Sequence, residues 1–498
     1  MKKNIFYLIL IGAAMCITTS CSDDFFDVKT TNRLTADDAA AATDADPSKT
    51  ASFVDAIYNV LVQYDLVSTN HDSFGLMAVL HARDMMTEDI VMSKLHWFNY
   101  DYQHDNRDQT YRRTNVVWTY FYTAIANANT VLAMTSPESV NKEILAARGQ
   151  AYALRGMSYY YLIQLYQHLY PISGSGDRPG IPLYYAQNEG KENLLGRNPV
   201  KEVLAQIEED LTTAVDNLKG WTRNSKNQVD YSVANGLLAR YYLLSEQWDK
   251  AVSAAQEARS GYEIMPASSL FDGFMSINNA EWMWGYDHNA ETTSLYASFF
   301  SQISNTTGGY AGLGYAPRLI DKRLYESIPA TDERLKLFQN TAGSLVPANA
   351  DPQTTVVWKL PYANLKFGYD GAFTMDYMYM RASEMVLIEA EALAQKGSGA
   401  QAATVLKTLL SKRDPAWNAS SVTVDDVWWQ RRIELWGEGA SCFDLQRLNK
   451  GIDRNYEGSN HEAASKLTIP AGDNRWIYQI PQRETNENPE IPESANND

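Results

Sequence analysis

The chain is short of cysteine, histidine and positive charge. Its 498 residues include three Cys, seven His, and 43 basic against 60 acidic side chains. Cys16, Cys21 and Cys442 are too few for a disulfide framework, and no Cys-x-x-Cys pair suggests zinc or redox chemistry. No two histidines have metal-ligand spacing, and the His-Glu-x-x-His and Gly-x-Ser-x-Gly signatures are missing. The glycine-rich GGYAGLG at 308–314 lacks the Lys-Ser/Thr that a phosphate-binding loop requires. A net charge of -17 opposes nucleic acid and anionic headgroups as ligands. Neither a cofactor nor a metal is expected. A glycosidase-type carboxylate pair stays open, because so many acids permit many pairs once the chain folds.

The one long apolar run lies at the start. Lys2 and Lys3 precede a nearly unbroken apolar stretch from Ile5 to Ile17, the layout of a secretory signal and short for a membrane span. Thr18, Thr19 and Ser20 then lead into Cys21. This resembles a bacterial lipoprotein box, whose cysteine is acylated and becomes the first mature residue. Acyl chains contribute about 0.8 kcal/mol per buried methylene, so two or three would anchor a globular domain durably. Asp23 and Asp24 resemble the signal that sends some Bacteroidetes lipoproteins to the outer cell surface. The expected organisation is a signal peptide at 1–20, an acidic tether from lipidated Cys21 at 21–50, and one domain at 51–498. Cys442, in the apolar setting SCFDL, reads as a core residue.

Aromatic residues are plentiful: 12 Trp, 31 Tyr and 15 Phe. Many belong to helical patterns. Ala147, Ala151, Leu154, Ser158, Tyr161 and Leu165 recur at spacings of four and three, with small residues that admit a neighbouring helix. In YSVANGLLARYYLLSEQWDKAVSAAQEARS, 231–260, Ala234, Leu238 and Tyr241 mark one helix. Trp248, Ala251, Ala255 and Ala258 mark its partner, as in a tetratricopeptide pair. Residues 380–415 repeat the plan, 114–136 with 142–168 form a looser pair, and 199–218 supply another helix. The expected fold is mostly α: tetratricopeptide-like helix pairs in a superhelical scaffold at about 51–261 and 376–450. An irregular insert occupies about 262–375 and a closing segment 451–498. In RRIELWGEGASCFDLQRL, 431–448, charges alternate with bulky apolar residues around Gly437 and Gly439. This predicts a buried brace in which Arg432 pairs with Glu434 or Glu438.

That segment resembles the signature of the SusD-like (RagB) family, nutrient-binding lipoproteins of Bacteroidetes. MRASEMVLIEAEALA, with Arg381, Glu384 and Glu391, resembles the family's Arg-x-x-Glu helix. ARGQAYALRGMSYYYLIQLY resembles its long early helix. WIYQIPQRETNENPEIPE, with Pro481, Glu484, Asn488 and Pro489, resembles its C-terminal close. With the lipoprotein start, the likeness spans nearly the whole chain. It implies an α-α superhelix of four helix pairs at the outer face of the outer membrane. It also implies a non-catalytic role: capturing oligosaccharide and delivering it to a SusC-like TonB-dependent barrel. Two other readings are a repeat scaffold that binds only proteins, and a glycoside hydrolase.

A pyranose offers an apolar face and polar edges, so rings outside regular helices are the candidate ligand residues. SKLHWFNYDYQHDN, 93–106, supplies Trp97, Asn99 and Tyr100. Trp97 and Asn99 resemble the family's stacking Trp and nearby Asn. Asp89, just upstream, is either a sugar hydrogen-bond partner or a helix cap. AEWMWGYDHNAETTSLYASFF, 280–300, supplies Trp282, Trp284, Tyr286 and Tyr296, followed by Tyr310 and Tyr315. Alternation in EWMWGY places Trp282 and Trp284 on one side of a short strand, facing either ligand or core.

Overall fold

A computed structural model of the protein describes residues 36–64, 66–185 and 194–498. Cys21, Asp23 and Asp24 lie outside them. Helix α1, Ala36–Ala45, begins the described chain, and the Thr43 hydroxyl donates to the Met134 carbonyl at 2.8 Å. Residues 36–45, expected to be part of an aperiodic tether, are therefore helical and touch the domain.

The scaffold is a row of helices, each packed on the next. α2 (Thr50–Val62) lies near α3 (Leu76–Met85) and packs on α4 (Arg112–Ala133). The row continues through α5 (Lys142–Tyr166), α6 (Val200–Leu218), α7 (Tyr231–Leu244) and α8 (Trp248–Arg259). It then passes directly to α9 (Ala382–Gln395) and α10 (Gly399–Leu410), with α11 (Val424–Glu434) against α9 and α12 (Ser441–Arg447) following. The insert thus leaves the row after α8 and returns at α9, whose faces meet as if it were absent.

Local chemistry explains where these helices begin. The Asn141 side chain accepts from the Glu143 amide at 2.9 Å, and the Asp230 side chain accepts from the Val233 amide at 2.9 Å. Thr423 and Asp426 form a reciprocal capping box at the start of α11. Packing explains the small residues. Ala147, Ala151, Leu154 and Ser158 are buried, as are Ala251, Ala255 and Ala258 on α8. Gly156 lies so close to α6 that a Cβ there would stand 3.0 Å from Leu211 Cγ.

Four short strands attach the insert. β1 (Ile90–Met92) pairs antiparallel with β3 (Arg318–Ile320), and β2 (Trp282–Tyr286) with β4 (Tyr377–Arg381). β4 runs directly into α9, so a scaffold helix and an insert strand share a backbone junction.

At that junction lies a buried ion network. Arg381 Nη1 reaches Glu281 and Glu434, each at 2.8 Å, and its Nε reaches Glu438 at 2.9 Å. Glu434 also takes Arg413 at 3.0 Å and Arg334 at 3.2 Å, while Lys366 reaches Glu438 at 2.5 Å. Burial alone would raise the Glu434 carboxyl, but the charges of Arg413, Arg381 and Arg334 hold it well below its usual range. Glu281, Arg334 and Lys366 belong to the insert; Arg381, Arg413, Glu434 and Glu438 belong to the scaffold. The network therefore fixes one against the other.

The expected brace is present, but its pairing differs. Arg432 points away from Glu434 and Glu438 and bonds Asp89 at 2.5 Å and Glu88 at 2.9 Å. On the helix, its neighbour Glu434 faces three other arginines, so Arg432 satisfies its charge across the tertiary contact instead. Cys442 is fully buried, and burial pushes its thiol up to about 11, so it stays protonated as a core residue.

Candidate functional site

Rings from three separate loops meet at one surface. The first loop carries Tyr64 and His71, the second His96 and Trp97, and the third, in the insert, Tyr296, Tyr310 and Tyr315. His71 stacks parallel to Tyr296 with centroids 6.1 Å apart and approaches Trp97 at 5.6 Å. Tyr310 sits in the middle, 4.8 Å from His96, 5.3 Å from Tyr296, 6.1 Å from Tyr315 and 6.3 Å from Trp97. Its hydroxyl lies 2.7 Å from His71 Nδ1. Tyr296 is 40% exposed and Tyr315 56%, while Trp97, His71, His96 and Tyr310 are half-buried. The result is a platform whose lower edges are packed and whose upper rings are open.

Each ring is placed by residues beneath it. Phe98 adopts φ 70°, unusual for a bulky residue, while its side chain is buried against Phe74, His81 and the Arg113 guanidinium. With Phe98 anchored inward, Trp97 is left at the surface. The glycine-rich 308–314 segment folds back tightly onto residues 301–307. A Cβ at Gly312 would come within 2.0 Å of the Thr307 carbonyl oxygen. The segment serves to present Tyr310 and Tyr315. Buried Gln302 joins the loops by donating to the His71 carbonyl at 3.0 Å and the Tyr296 carbonyl at 3.5 Å. Burial and the Arg318 charge push the His96 imidazole down, so it is neutral at neutral pH.

Of the residues expected from sequence, Trp97, Tyr296 and Tyr315 come together here. Asn99 is half-exposed at the start of the short helix Asn99–Tyr102, and Tyr100 beside it is exposed. Tyr286 is half-buried at the end of β2, with its ring 4.9 Å from His288 and away from the platform.

Three residues do not reach the surface. Trp282 and Trp284 are 0% exposed, and β2 is buried on both faces through its first four residues. Trp284 Nε1 donates to the Asn227 carbonyl at 3.0 Å. Of the two readings for these rings, the core is where the structure puts them. Asp89 is 2% exposed and its carboxylate is committed to Arg432 and to the Ser441 hydroxyl, the latter at 2.5 Å. It neither caps a helix nor faces solvent. Its backbone joins Trp436 and Asp321, which anchors β1 and the loop that carries Trp97.

Sequence reasoning missed Tyr64 and His71. They lie in a short segment with no aromatic run, and only the fold brings His71 beside Trp97, with Tyr64 against His71. Among the described residues, no group of three or more His, Cys, Asp or Glu side chains is placed to hold a metal, and no helix is long and apolar enough to cross a membrane.

Helices stacked in a superhelix, with an aromatic platform where scaffold loops meet the insert, define a helical-repeat protein with one prominent surface site. Comparison with known proteins makes the class specific. Residues 242–496 match the SusD family, and residues 24–243 match a family described as starch-binding and associating with the outer membrane. The chain belongs to the SusD family. It is 24% identical over 373 residues to SusD-like protein P2 of Formosa agariphila, covering 67% of this chain and 71% of that protein. Among solved structures, a SusD-like carbohydrate binding protein from Bacteroides vulgatus superposes with a TM-score of 0.77 at 23% identity. That match covers 90% of this chain and 97% of the other. A laminarin binding SusD-like protein gives a TM-score of 0.65 at 19% identity, with 88% and 97% covered. At these identities the structural likeness shows the fold alone.

Proposed function

We propose that the protein is a cell-surface lipoprotein that captures oligosaccharide on the Trp97–Tyr296–Tyr310–Tyr315 platform and delivers it, unmodified, to a SusC-like TonB-dependent barrel. The observation that carries this reading is the convergence of those rings from separate loops onto one open surface. Flat rings hold the C–H face of a sugar with little loss of side-chain entropy, and the exposed Tyr296 and Tyr315 phenols supply hydrogen bonds around it. Family membership supports the carbohydrate and the outer membrane, and Asn99 and Tyr100 extend the surface on the Trp97 side. Cys21 is the proposed acylation site.

Titration of the purified protein with laminarin and other neutral polysaccharides tests the site. Trp97→Ala is expected to weaken binding of whichever glycan binds the wild type by about two- to tenfold, the scale of one stacked ring. Undiminished affinity removes the platform from the reading. Release of shorter products from a bound glycan would replace capture with hydrolysis. Palmitate incorporation that survives Cys21→Ser would refute the anchor. Affinity isolation from native outer membranes without a barrel protein would refute delivery.

A further inference from the structure

A second cleft, of about 330 Å³, lies between the end of α5 with its following loop and the segment after α12. Its charged lining consists of Arg178, Arg447 and Lys450, with no carboxylate; the His168 imidazole beside them is pushed down by burial and is neutral at neutral pH. That is unexpected in a chain with 60 acids and 43 bases.

The cations are not equivalent. Arg447 is already neutralised by Glu391 and Asp444. Lys450 has an exposed partner, Asp425, at 2.8 Å, a pairing worth little in water. Arg178 has no ion pair among the described residues. Its Nη1 donates to the carbonyls of His168 at 2.7 Å and Tyr170 at 3.2 Å, which fixes the guanidinium and leaves its charge uncompensated. A guanidinium held in this way presents its remaining N–H groups as a fork matched to a carboxylate. The Asn449 amide also lines the cleft, while the Gln164 amide is committed to the Tyr160 carbonyl and the Gln446 amide to Arg83 and the Trp476 carbonyl; the Tyr170 ring, 45% exposed, lies at the lip.

We propose that this cleft binds a small polyhydroxylated carboxylate, a single uronic acid residue or the acidic end of a short saccharide. Arg178 takes the carboxylate, the Asn449 amide takes a hydroxyl, and Tyr170 covers one sugar face. The acidic surface elsewhere limits the ligand to one or few negative charges, since a long polyanion is repelled before it reaches the cleft. The site is independent of the aromatic platform.

Titration of the purified protein with D-glucuronate, D-glucose and sodium sulfate, followed by calorimetry, tests it. Saturable glucuronate binding at least tenfold tighter than glucose is expected. Arg178→Gln and, separately, Tyr170→Ala should each weaken it, the first by at least tenfold, with melting temperature checked for both. Trp97→Ala should leave it unchanged. Absence of saturable binding overturns the proposal, as does equal binding of glucose or unchanged affinity in folded Arg178→Gln. Sulfate binding as tightly as glucuronate would show a simple anion site and overturn the assignment to an acidic sugar. Loss of binding in Trp97→Ala would move glucuronate to the platform and overturn it likewise.

Discussion

The imidazole of His71 lies within 4° of parallel to the Tyr296 ring, though the two residues come from opposite halves of the chain. This stack joins a scaffold loop to the insert at the centre of the candidate site. If the platform binds as a unit, Tyr296→Ala should weaken glycan affinity about as much as Trp97→Ala. Tyr315→Ala, at the more exposed edge, should cost less. Calorimetric titration of all three variants checks the order, and equal affinities for wild type and the three variants would contradict it.

Trp284 supplies the contrast. It is fully buried with its indole N–H bonded, so Trp284→Ala is expected to cost about 3–5 kcal/mol of stability, as large core truncations do. Urea unfolding measures this. A folded variant of normal stability that had lost glycan binding would return Trp284 to the ligand.

Glu434 is the carboxylate shared by Arg381, Arg413 and Arg334. Glu434→Gln leaves buried guanidinium charge uncompensated, and a loss of about 3–5 kcal/mol is expected. Because the native carboxyl titrates well below its unfolded range, the stabilisation is present above about pH 4 and fades only as pH falls through that low native value. An unfolding midpoint within error of wild type at pH 7 would show that the network does not hold the insert to the scaffold.

Asp84 has the opposite sign. Burial pushes its carboxyl up to about 8, and its Oδ2 accepts from the Gly439 amide at 2.7 Å. Between about pH 4, where the unfolded group titrates, and about pH 8, the native state retains a proton that the unfolded chain has lost. Stability therefore declines across this window as pH rises. Asp84→Asn keeps the acceptor and removes the titration, so its unfolding midpoint should depend less on pH. Parallel wild-type and variant profiles from pH 5 to 9 would contradict this.

Gly156 faces α6 with little room for a side chain, a Cβ there standing 3.0 Å from Leu211 Cγ. Gly156→Ala is expected to lose about 1–3 kcal/mol through overpacking against Leu211, despite the better helix propensity of alanine. A rise in melting temperature would show that α6 can shift aside.

Much of the scaffold could be read directly from residues, because helix formation is local. The spacing of Ala147 to Leu165 and the Trp248–Ala258 pattern place small and apolar residues on one face regardless of what lies elsewhere. The signature brace was equally visible as charges among bulky apolar residues. The partners were not. Arg432 meets Asp89 across hundreds of residues, and no spacing rule connects them.

The same division runs through the site. Composition and motif order determined the helical class, the family likeness and the wealth of loop rings that made Trp97, Tyr296 and Tyr315 candidates. Only tertiary structure decided which rings stay open. Trp282 and Trp97 are chemically alike in sequence, but β2 is buried on both faces, whereas buried Phe98 leaves Trp97 half-buried at the surface. Burial depends on what the rest of the chain brings to a residue's second side, and a local pattern carries no record of that.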